Sequence, residues 1–271
     1  MGKLIFENIY PFNLSQTLDC GQSFRWVENE DGSFTGVVKN IVANVSYNNG
    51  TLTIVSDSEL DDKMWRNYFD LDLDYKKIKD DLSKMHPVLA EASAYAGGIR
   101  ILNQEPFEAL ITFIISQNNN IGRIKGIVER LCENFGESID GVHYAFPTAE
   151  RLAKLSPDDL APIRAGFRHR YIIDAAQRVY SGEIDLEKLR DMDYLKAQKE
   201  LMKITGVGVK VADCVLLYGL HRLESFPLDV WMKRALGVLF IGYKGDEFGL
   251  YGGIAQQYIF HYSRMHKELF D

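Results

Sequence analysis

The chain has 271 residues, 46% hydrophobic and 25% charged, which is typical of a water-soluble globular protein with two or three subdomains and no membrane span. Its formal net charge of −7 argues mildly against nucleic-acid binding, although a basic strip such as Arg164 to Arg178 can still seat a phosphate backbone. Cys20, Cys132 and Cys214 are too few and too scattered for an iron–sulfur cluster and favour reduced thiols in a cytosol-like compartment.

Residues 1–55 carry the pattern of a β-sheet. Short β-branched and aromatic runs (SFRWV, FTGVVK, IVANVSY and TLTIVS) are separated by the turn signals Asp31-Gly32 and Asn48-Asn49-Gly50. From about Ser58 the apolar spacing becomes three or four residues, which is the period of a helix. We therefore expect an α+β fold, with an N-terminal antiparallel β domain and linking helices (1–95) packed on a mostly α-helical body (96–271).

Prolines, glycines and asparagines divide the second part of the chain into helices. The predicted helices span residues 88–96, 106–117, 121–135, 148–154, 157–164, 168–181, 193–203, 209–219, 229–239 and 251–268. The sequence contains no internal repeat and no low-complexity linker.

The predicted hairpin of two helices over residues 201–219 carries the main functional signal. Its Gly206-Val207-Gly208 turn leaves backbone N–H groups pointing outward, which suits a phosphate. Lys210 begins the second helix, where the helix dipole disfavours a cation and favours the neutral amine that a nucleophile requires. On composition alone Lys210 is a solvated surface lysine. Its position instead favours covalent chemistry on a nucleic-acid sugar.

Further candidates lie on the helices that follow. Asp229 precedes the apolar pattern VWMKRALGVLF and makes a good helix N-cap, but a carboxylate also suits the oxocarbenium-like transition state of glycosidic cleavage. Cys214 shares a helix face with Lys210 and would otherwise be a small core residue. Gln256 and Phe260 are an i, i+4 pair that would otherwise form one face of an amphipathic helix.

Several separate motifs resemble, in order, the 8-oxoguanine DNA glycosylase/lyases of the helix-hairpin-helix (HhH-GPD) superfamily. They are GQSFRW from Gly21, NNNIGR from Asn118, GVGVKVADC from Gly206 and YGGIAQQYIF from Tyr251. The resemblance spans nearly the whole chain and implies an HhH-GPD glycosylase body. It also implies that the Lys210 amine attacks C1′ of the damaged nucleotide and forms a Schiff base, while Asp229 orients the lysine and stabilises charge on the sugar.

The resemblance implies a pocket for an extruded base. The matching residues are Gly21, Cys214, Gln256, Phe260 and Met232. The carbonyl of Gly21 would accept a hydrogen bond from N7–H, the group that distinguishes 8-oxoguanine from guanine. Cys214 and Phe260 would pack on the base, and Gln256 would read its Watson–Crick edge.

A second set of residues is implied to contact DNA. It comprises Asn118, Arg123, Phe167, Arg168, Gly206, Gly208 and Trp231. Asn118 would fill the gap left by the flipped base, and Arg123 and Arg168 would grip the orphaned cytosine. Phe167 stands where the family often has a tyrosine wedge, and phenylalanine can also wedge and stack. Trp231 replaces a phosphate-binding histidine, so a hydrogen-bond donor remains but a pH-dependent charge does not.

The sequence thus predicts a bifunctional enzyme that excises 8-oxoguanine from double-stranded DNA, preferably opposite cytosine, and then cleaves the abasic site. One alternative is a glycosylase of the same fold for another damaged purine, which usually acts with the aspartate alone. Another is a non-catalytic helix-hairpin-helix DNA-binding module. We expect a cytoplasmic monomer, which in a prokaryote would be associated with the nucleoid. We expect it to need no cofactor or metal, although a monovalent cation is an optional ligand of the hairpin carbonyls. The start of the chain lacks the pattern of a secretory signal.

Overall fold

The computed structural model describes residues 2–270, which form an antiparallel sheet followed by a body of helices. The strands are β1 (Gly2–Phe6), β2 (Trp26–Glu28), β3 (Phe34–Val38), β4 (Ile41–Asn48) and β5 (Thr51–Ser56), in the order β1-β5-β4-β3-β2. The predicted α+β class is confirmed. The β4–β5 turn uses Asn49 and Gly50 at φ values of 46° and 83°, the left-handed region that a two-residue hairpin of this kind requires.

Two parts of the sheet differ from the sequence prediction. β1 was not expected, since KLIF is short and has no turn signal beside it, but it pairs with β5 from Gly2↔Ser56 to Phe6↔Leu52. The run SFRWV becomes a strand only from Trp26.

The helices follow the sequence prediction closely from residue 87 onward. They are α1 (Leu14–Leu18), α2 (Asp62–Tyr68), α3 (Tyr75–Ser83), α4 (Pro87–Ala96), α5 (Pro106–Ser116), α6 (Ile121–Phe135), α7 (Ala149–Ala153), α8 (Arg168–Tyr180), α9 (Tyr194–Leu201), α10 (Val209–Tyr218), α11 (Val230–Leu239) and α12 (Gly252–Met265). The segment predicted as a helix over 157–164 is a 3-10 helix, Asp158–Ile163, with Pro162 inside it. Within residues 2–270, no helix has the length and apolar character needed to span a membrane.

Hydrophobic side chains form two cores. The smaller core lies against the sheet and contains Trp65 and Phe69, whose stacked rings have centroids 6.0 Å apart. The larger core lies among the helices and includes Tyr75 of α3 and Leu89 of α4. These two helices therefore pack with the helical body, although the boundary expected after residue 95 assigned them to the N-terminal domain. That boundary stays a prediction.

Candidate active site

One pocket collects side chains from distant parts of the chain. It is lined by Cys20, Gly21, Phe113, Lys210, Cys214, Tyr218, Pro227, Asp229, Gln256, Gln257 and Phe260, and its cavity volume is about 50 Å³. These include all the expected catalytic and base-pocket residues except Met232, which is fully buried in the larger core. A part for Met232 in base binding stays a prediction.

Lys210 lies in the first turn of α10, whose N-cap residue, Gly208, provides no side-chain cap. Its amine lies 5.4 Å from the centre of the Phe113 ring, an arrangement that attracts a cation weakly. In the part of the chain that the structure describes, no carboxylate lies within ion-pairing distance of this amine. The half-buried lysine thus faces the pocket without a salt bridge to hold it.

Asp229 caps α11, because its Oδ1 accepts a hydrogen bond of 2.7 Å from the backbone N–H of Met232. The helix-cap interpretation of this residue is therefore confirmed. Asp229 also lines the pocket together with Lys210. The cap therefore fixes the carboxylate in the pocket that the Lys210 amine also faces.

The wall around Cys214 is apolar. Cys214 lies one turn after Lys210 on α10 and is only 3% exposed. Burial raises the pKa of its thiol to about 11, so the thiol is neutral near pH 7 and offers a polarisable packing surface. Beside it the rings of Phe113 and Tyr218 stack with centroids 5.1 Å apart.

Gly21 reaches the pocket on a tightly held loop. Its φ of +95° lies in the region that favours glycine, and a Cβ there would lie 3.3 Å from Cδ1 of Ile121. The next residue, Gln22, is fully buried, and its Nε2 donates to the carbonyl oxygens of Thr17 and Arg100, both at 2.8 Å. The buried Gln22 side chain therefore anchors the loop that carries Gly21.

A chain of hydrogen bonds runs along the wall formed by α12. Nε2 of Gln256 donates to the carbonyl of Pro227 at 3.3 Å, and Nε2 of Gln257 donates to Oε1 of Gln256 at 2.8 Å. The same Nε2 of Gln257 donates to the Tyr218 hydroxyl at 2.6 Å. Sequence reasoning did not identify the pocket residues Cys20, Phe113, Tyr218, Pro227 and Gln257.

The residues expected to enter DNA lie on two neighbouring loops and on the first turns of the helices that follow them. Asn118 is exposed at a φ of 47°, Arg123 is exposed on the first turn of α6, and the Phe167 side chain is 50% exposed. Arg168 differs, since it is 3% exposed and donates from Nη2 to the carbonyl of Asn118 at 3.1 Å and from Nη1 to that of Ala165 at 3.0 Å. Its guanidinium thus joins the two loops, and it was not expected to be buried.

The hairpin packs against the same surface. Gly206 has a φ of +81°, and a Cβ there would lie 2.3 Å from the ring of Tyr171, which itself contacts Phe167 edge-on at 5.7 Å. Around Gly208 there is open space, since a Cβ built on it would have no atom of residues 2–270 within 4 Å apart from its own chain neighbours. The backbone N–H groups at the start of α10 are therefore accessible to a phosphate.

Trp231 is less accessible than a phosphate contact requires. Its indole nitrogen is buried and has no hydrogen-bond partner among residues 2–270. The ring packs against Phe270 with centroids 5.4 Å apart. A phosphate contact through this side chain stays a prediction and would require Phe270 to move.

Comparison with known proteins gives consistent matches along the chain. A family model of the 8-oxoguanine DNA glycosylase N-terminal domain matches residues 4–110, and a model described as HhH-GPD superfamily base excision DNA repair protein matches residues 111–246. An N-glycosylase/DNA lyase of Saccharomyces cerevisiae is 34% identical over 250 residues, which cover 82% of this chain. The chain spans 66% of that relative's length and 64% of an Arabidopsis thaliana N-glycosylase/DNA lyase.

Solved structures match over almost the full chain. One, of MBOgg1 in complex with a low affinity DNA ligand, has a TM-score of 0.92 at 45% identity and covers 98% of this chain and 96% of its own. Another is the Clostridium acetobutylicum 8-oxoguanine glycosylase/lyase in complex with double-stranded DNA containing cytosine opposite 8-oxoguanine. It has a TM-score of 0.90 at 35% identity, with the same two coverages of 98% and 96%.

Proposed function

The chain belongs to the HhH-GPD superfamily of base excision DNA repair proteins and carries an 8-oxoguanine DNA glycosylase N-terminal domain, and we propose that it excises 8-oxoguanine and cleaves the resulting abasic site. One observation carries this proposal: a lysine amine that has no ion-pair partner among residues 2–270 shares a pocket with a fixed aspartate, a neutral thiol and a buried amide. A DNA-binding module without catalytic activity does not require these groups to meet.

In the proposed reaction the amine of Lys210 attacks C1′ of the extruded nucleotide. The bond from C1′ to N9 breaks, its electron pair leaves with the base, and the base takes up a proton. Loss of a proton from the attached amine and opening of the sugar give a Schiff base. Removal of a proton from C2′ then expels the 3′ phosphate by β-elimination. Asp229 stabilises the positive charge that develops on the sugar, because its cap holds the carboxylate in place before the reaction.

Base recognition is proposed to use both edges of the purine. The carbonyl of Gly21 accepts from N7–H, which guanine lacks, and Gln256 reads the Watson–Crick edge. The base stacks between the Cys214 thiol and the Phe260 ring. The rigid loop at Gly21 supports this assignment, since a fixed acceptor discriminates better than a mobile one.

The proposed substrate is duplex DNA with 8-oxoguanine opposite cytosine, the pairing named for the Clostridium acetobutylicum structure. Backbone N–H groups after Gly208 would bind phosphate, Asn118 would fill the gap, and Arg123 would read the cytosine. A monovalent cation at the carbonyls near Gly206 is proposed as optional, with no other cofactor. We also propose a cytoplasmic location, with access to the nucleoid in a prokaryote; the free, buried state of all three cysteines supports this.

The decisive experiment is borohydride trapping on a duplex that contains one 8-oxoguanine opposite cytosine. A lysine-dependent lyase becomes covalently attached to the DNA, and free 8-oxoguanine is released. A parallel duplex carrying an alkylated purine tests the alternative of a glycosylase for another lesion. Tight binding without trapping or base release would instead indicate a DNA-binding module.

A further inference from the structure

Gln257 is a pocket residue to which the proposed reaction assigns no part. It is 3% exposed, it lies three residues before Phe260 on one face of α12, and it lines the pocket. Its Nε2 donates one hydrogen bond to Oε1 of Gln256 and another to the Tyr218 hydroxyl. Its Oε1 is buried and has no hydrogen-bond partner in the part of the chain that the structure describes.

The orientation of the Gln257 amide follows from Pro227. A carbonyl oxygen only accepts, so Gln256 must turn its Nε2 toward Pro227 and leave its Oε1 facing Gln257. Gln257 must therefore donate to that oxygen from its own Nε2. Its Oε1 is then an acceptor held in one direction by two fixed partners. A buried acceptor without a donor is costly, and such exceptions need an explanation.

We propose that Gln257 is a specificity-determining residue whose Oε1 accepts a hydrogen bond from the 2-amino group of the extruded base. This inference rests on the proposed function, because it takes the base to be a guanine-type purine. Guanine-type bases carry a 2-amino donor, whereas adenine has none. Gln257 would thus select guanine-type lesions over adenine-type lesions, while Gly21 selects the oxidised base over guanine.

The test compares two lesions that differ only in the 2-amino group, namely 8-oxoguanine and 8-oxohypoxanthine. Each is placed opposite cytosine in the same duplex, and single-turnover excision is measured for the wild type, Gln257→Met and Gln257→Ala. Methionine matches glutamine in length and removes both polar ends. We expect the excision rate of each variant to fall about ten-fold on 8-oxoguanine and little on 8-oxohypoxanthine, as for the loss of one specific polar contact.

The result is the ratio of the excision rates of the two lesions within one preparation, so a partly unfolded variant does not distort it. The weaker pairing of 8-oxohypoxanthine is the same for every variant and cancels as well. Gln177→Met is the matched control, since Gln177 is an exposed glutamine on α8, and its ratio should equal that of the wild type. A ratio that stays at the wild-type value would overturn the proposal. If both rates fall equally, Gln257 only supports Gln256.

A binding measurement separates this proposal from the proposed function. The affinity of Lys210→Gln for the two duplexes is compared with that of Lys210→Gln combined with Gln257→Met, so that no chemistry is needed. A preference for the 2-amino lesion that disappears with Gln257→Met supports the inference even if the wild type releases no base. The absence of such a preference, or its persistence in the double variant, contradicts it.

Discussion

The guanidinium of Arg168 donates a hydrogen bond of 3.1 Å to the main-chain oxygen of Asn118. Asn118 has a φ of 47°, in the left-handed region that asparagine adopts more readily than most residues other than glycine. Arg168 also donates from Nε to the carbonyl of Gln117 at 3.0 Å. The residue expected to fill the gap in the DNA is therefore held in place by a residue expected to read the opposite base.

Arg168→Ala should lower excision to a similar extent opposite all four bases. It removes the hydrogen-bond donor to the buried carbonyl of Ala165, which costs about 1–3 kcal/mol, and it releases the loop that presents Asn118. Single-turnover rates opposite each base and the melting temperature measure the two effects. A loss confined to the cytosine duplex would show instead that Arg168 leaves these carbonyls and reads the base.

Lys210→Gln should abolish base release and borohydride trapping while damaged-duplex binding persists. Lysine is the proposed nucleophile, whereas the hairpin N–H groups and the arginines supply the affinity. Lys77→Gln, at an exposed lysine of α3, is the control and should behave as the wild type. Excision by Lys210→Gln beyond a trace would contradict the assignment.

Asp229→Asn should slow the chemical step by about 10² or more with little change in melting temperature. Asparagine caps a helix as well as aspartate does, so the bond to the Met232 N–H can persist while the charge is lost. Asp74→Asn makes the same change at the N-cap of α3 and should leave the rate unaltered. If Asp229→Asn keeps its single-turnover rate, Asp229 is a helix cap and no more.

Gly21→Ala should weaken 8-oxoguanine excision or its discrimination against guanine. At a φ of +95° alanine is strained, by about 1–2 kcal/mol, and its methyl group would press on Ile121, so the carbonyl should shift. Gly182→Ala controls for strain alone, because Gly182 has a φ of +77° and open space around it. Selectivity that is the same in both variants and the wild type would remove Gly21 from the specificity argument.

The sequence predicted the polar part of the pocket better than the apolar part. Lys210, Asp229 and Gln256 were identified through motifs that resemble those of the 8-oxoguanine DNA glycosylase/lyases, since each residue alone also has an ordinary structural explanation. Phe113 and Tyr218 lie in apolar helices, where an aromatic residue on the pocket wall has the same pattern as one in the core. The two rings line the pocket because they stack on each other across the tertiary structure, and this contact leaves no pattern in the local sequence.

The sequence also did not predict which charged side chain is buried. Arg168 and Arg123 have the same side chain and each lies near a helix start, yet one is buried and the other exposed. The difference depends on the carbonyls of Gln117 and Asn118, which come from a loop about 50 residues away in the chain. β1 was missed for a related reason, since its partner β5 is far along the sequence.

Arg123→Ala should reduce the preference for 8-oxoguanine opposite cytosine over adenine, which we expect to be about ten-fold or more in the wild type. Cytosine offers the acceptors N3 and O2, whereas adenine places an amino donor and a larger ring there, and a good bidentate contact is worth about 1–3 kcal/mol. Arg123 is exposed beside the Asn118 loop, so it can reach the orphaned base without losing contacts of its own. Single-turnover excision opposite all four bases measures the preference.

Arg130→Ala tests whether any arginine of α6 has this effect, since Arg130 lies on the same helix but donates to the carbonyl of Ile163. Its cytosine preference should match that of the wild type. If Arg123 only touches phosphates, Arg123→Ala should weaken binding to all duplexes alike and reduce the dependence of affinity on salt, because phosphate contacts release counterions whatever the sequence. Equal rates opposite cytosine and adenine in the wild type would likewise show that Arg123 does not read the base.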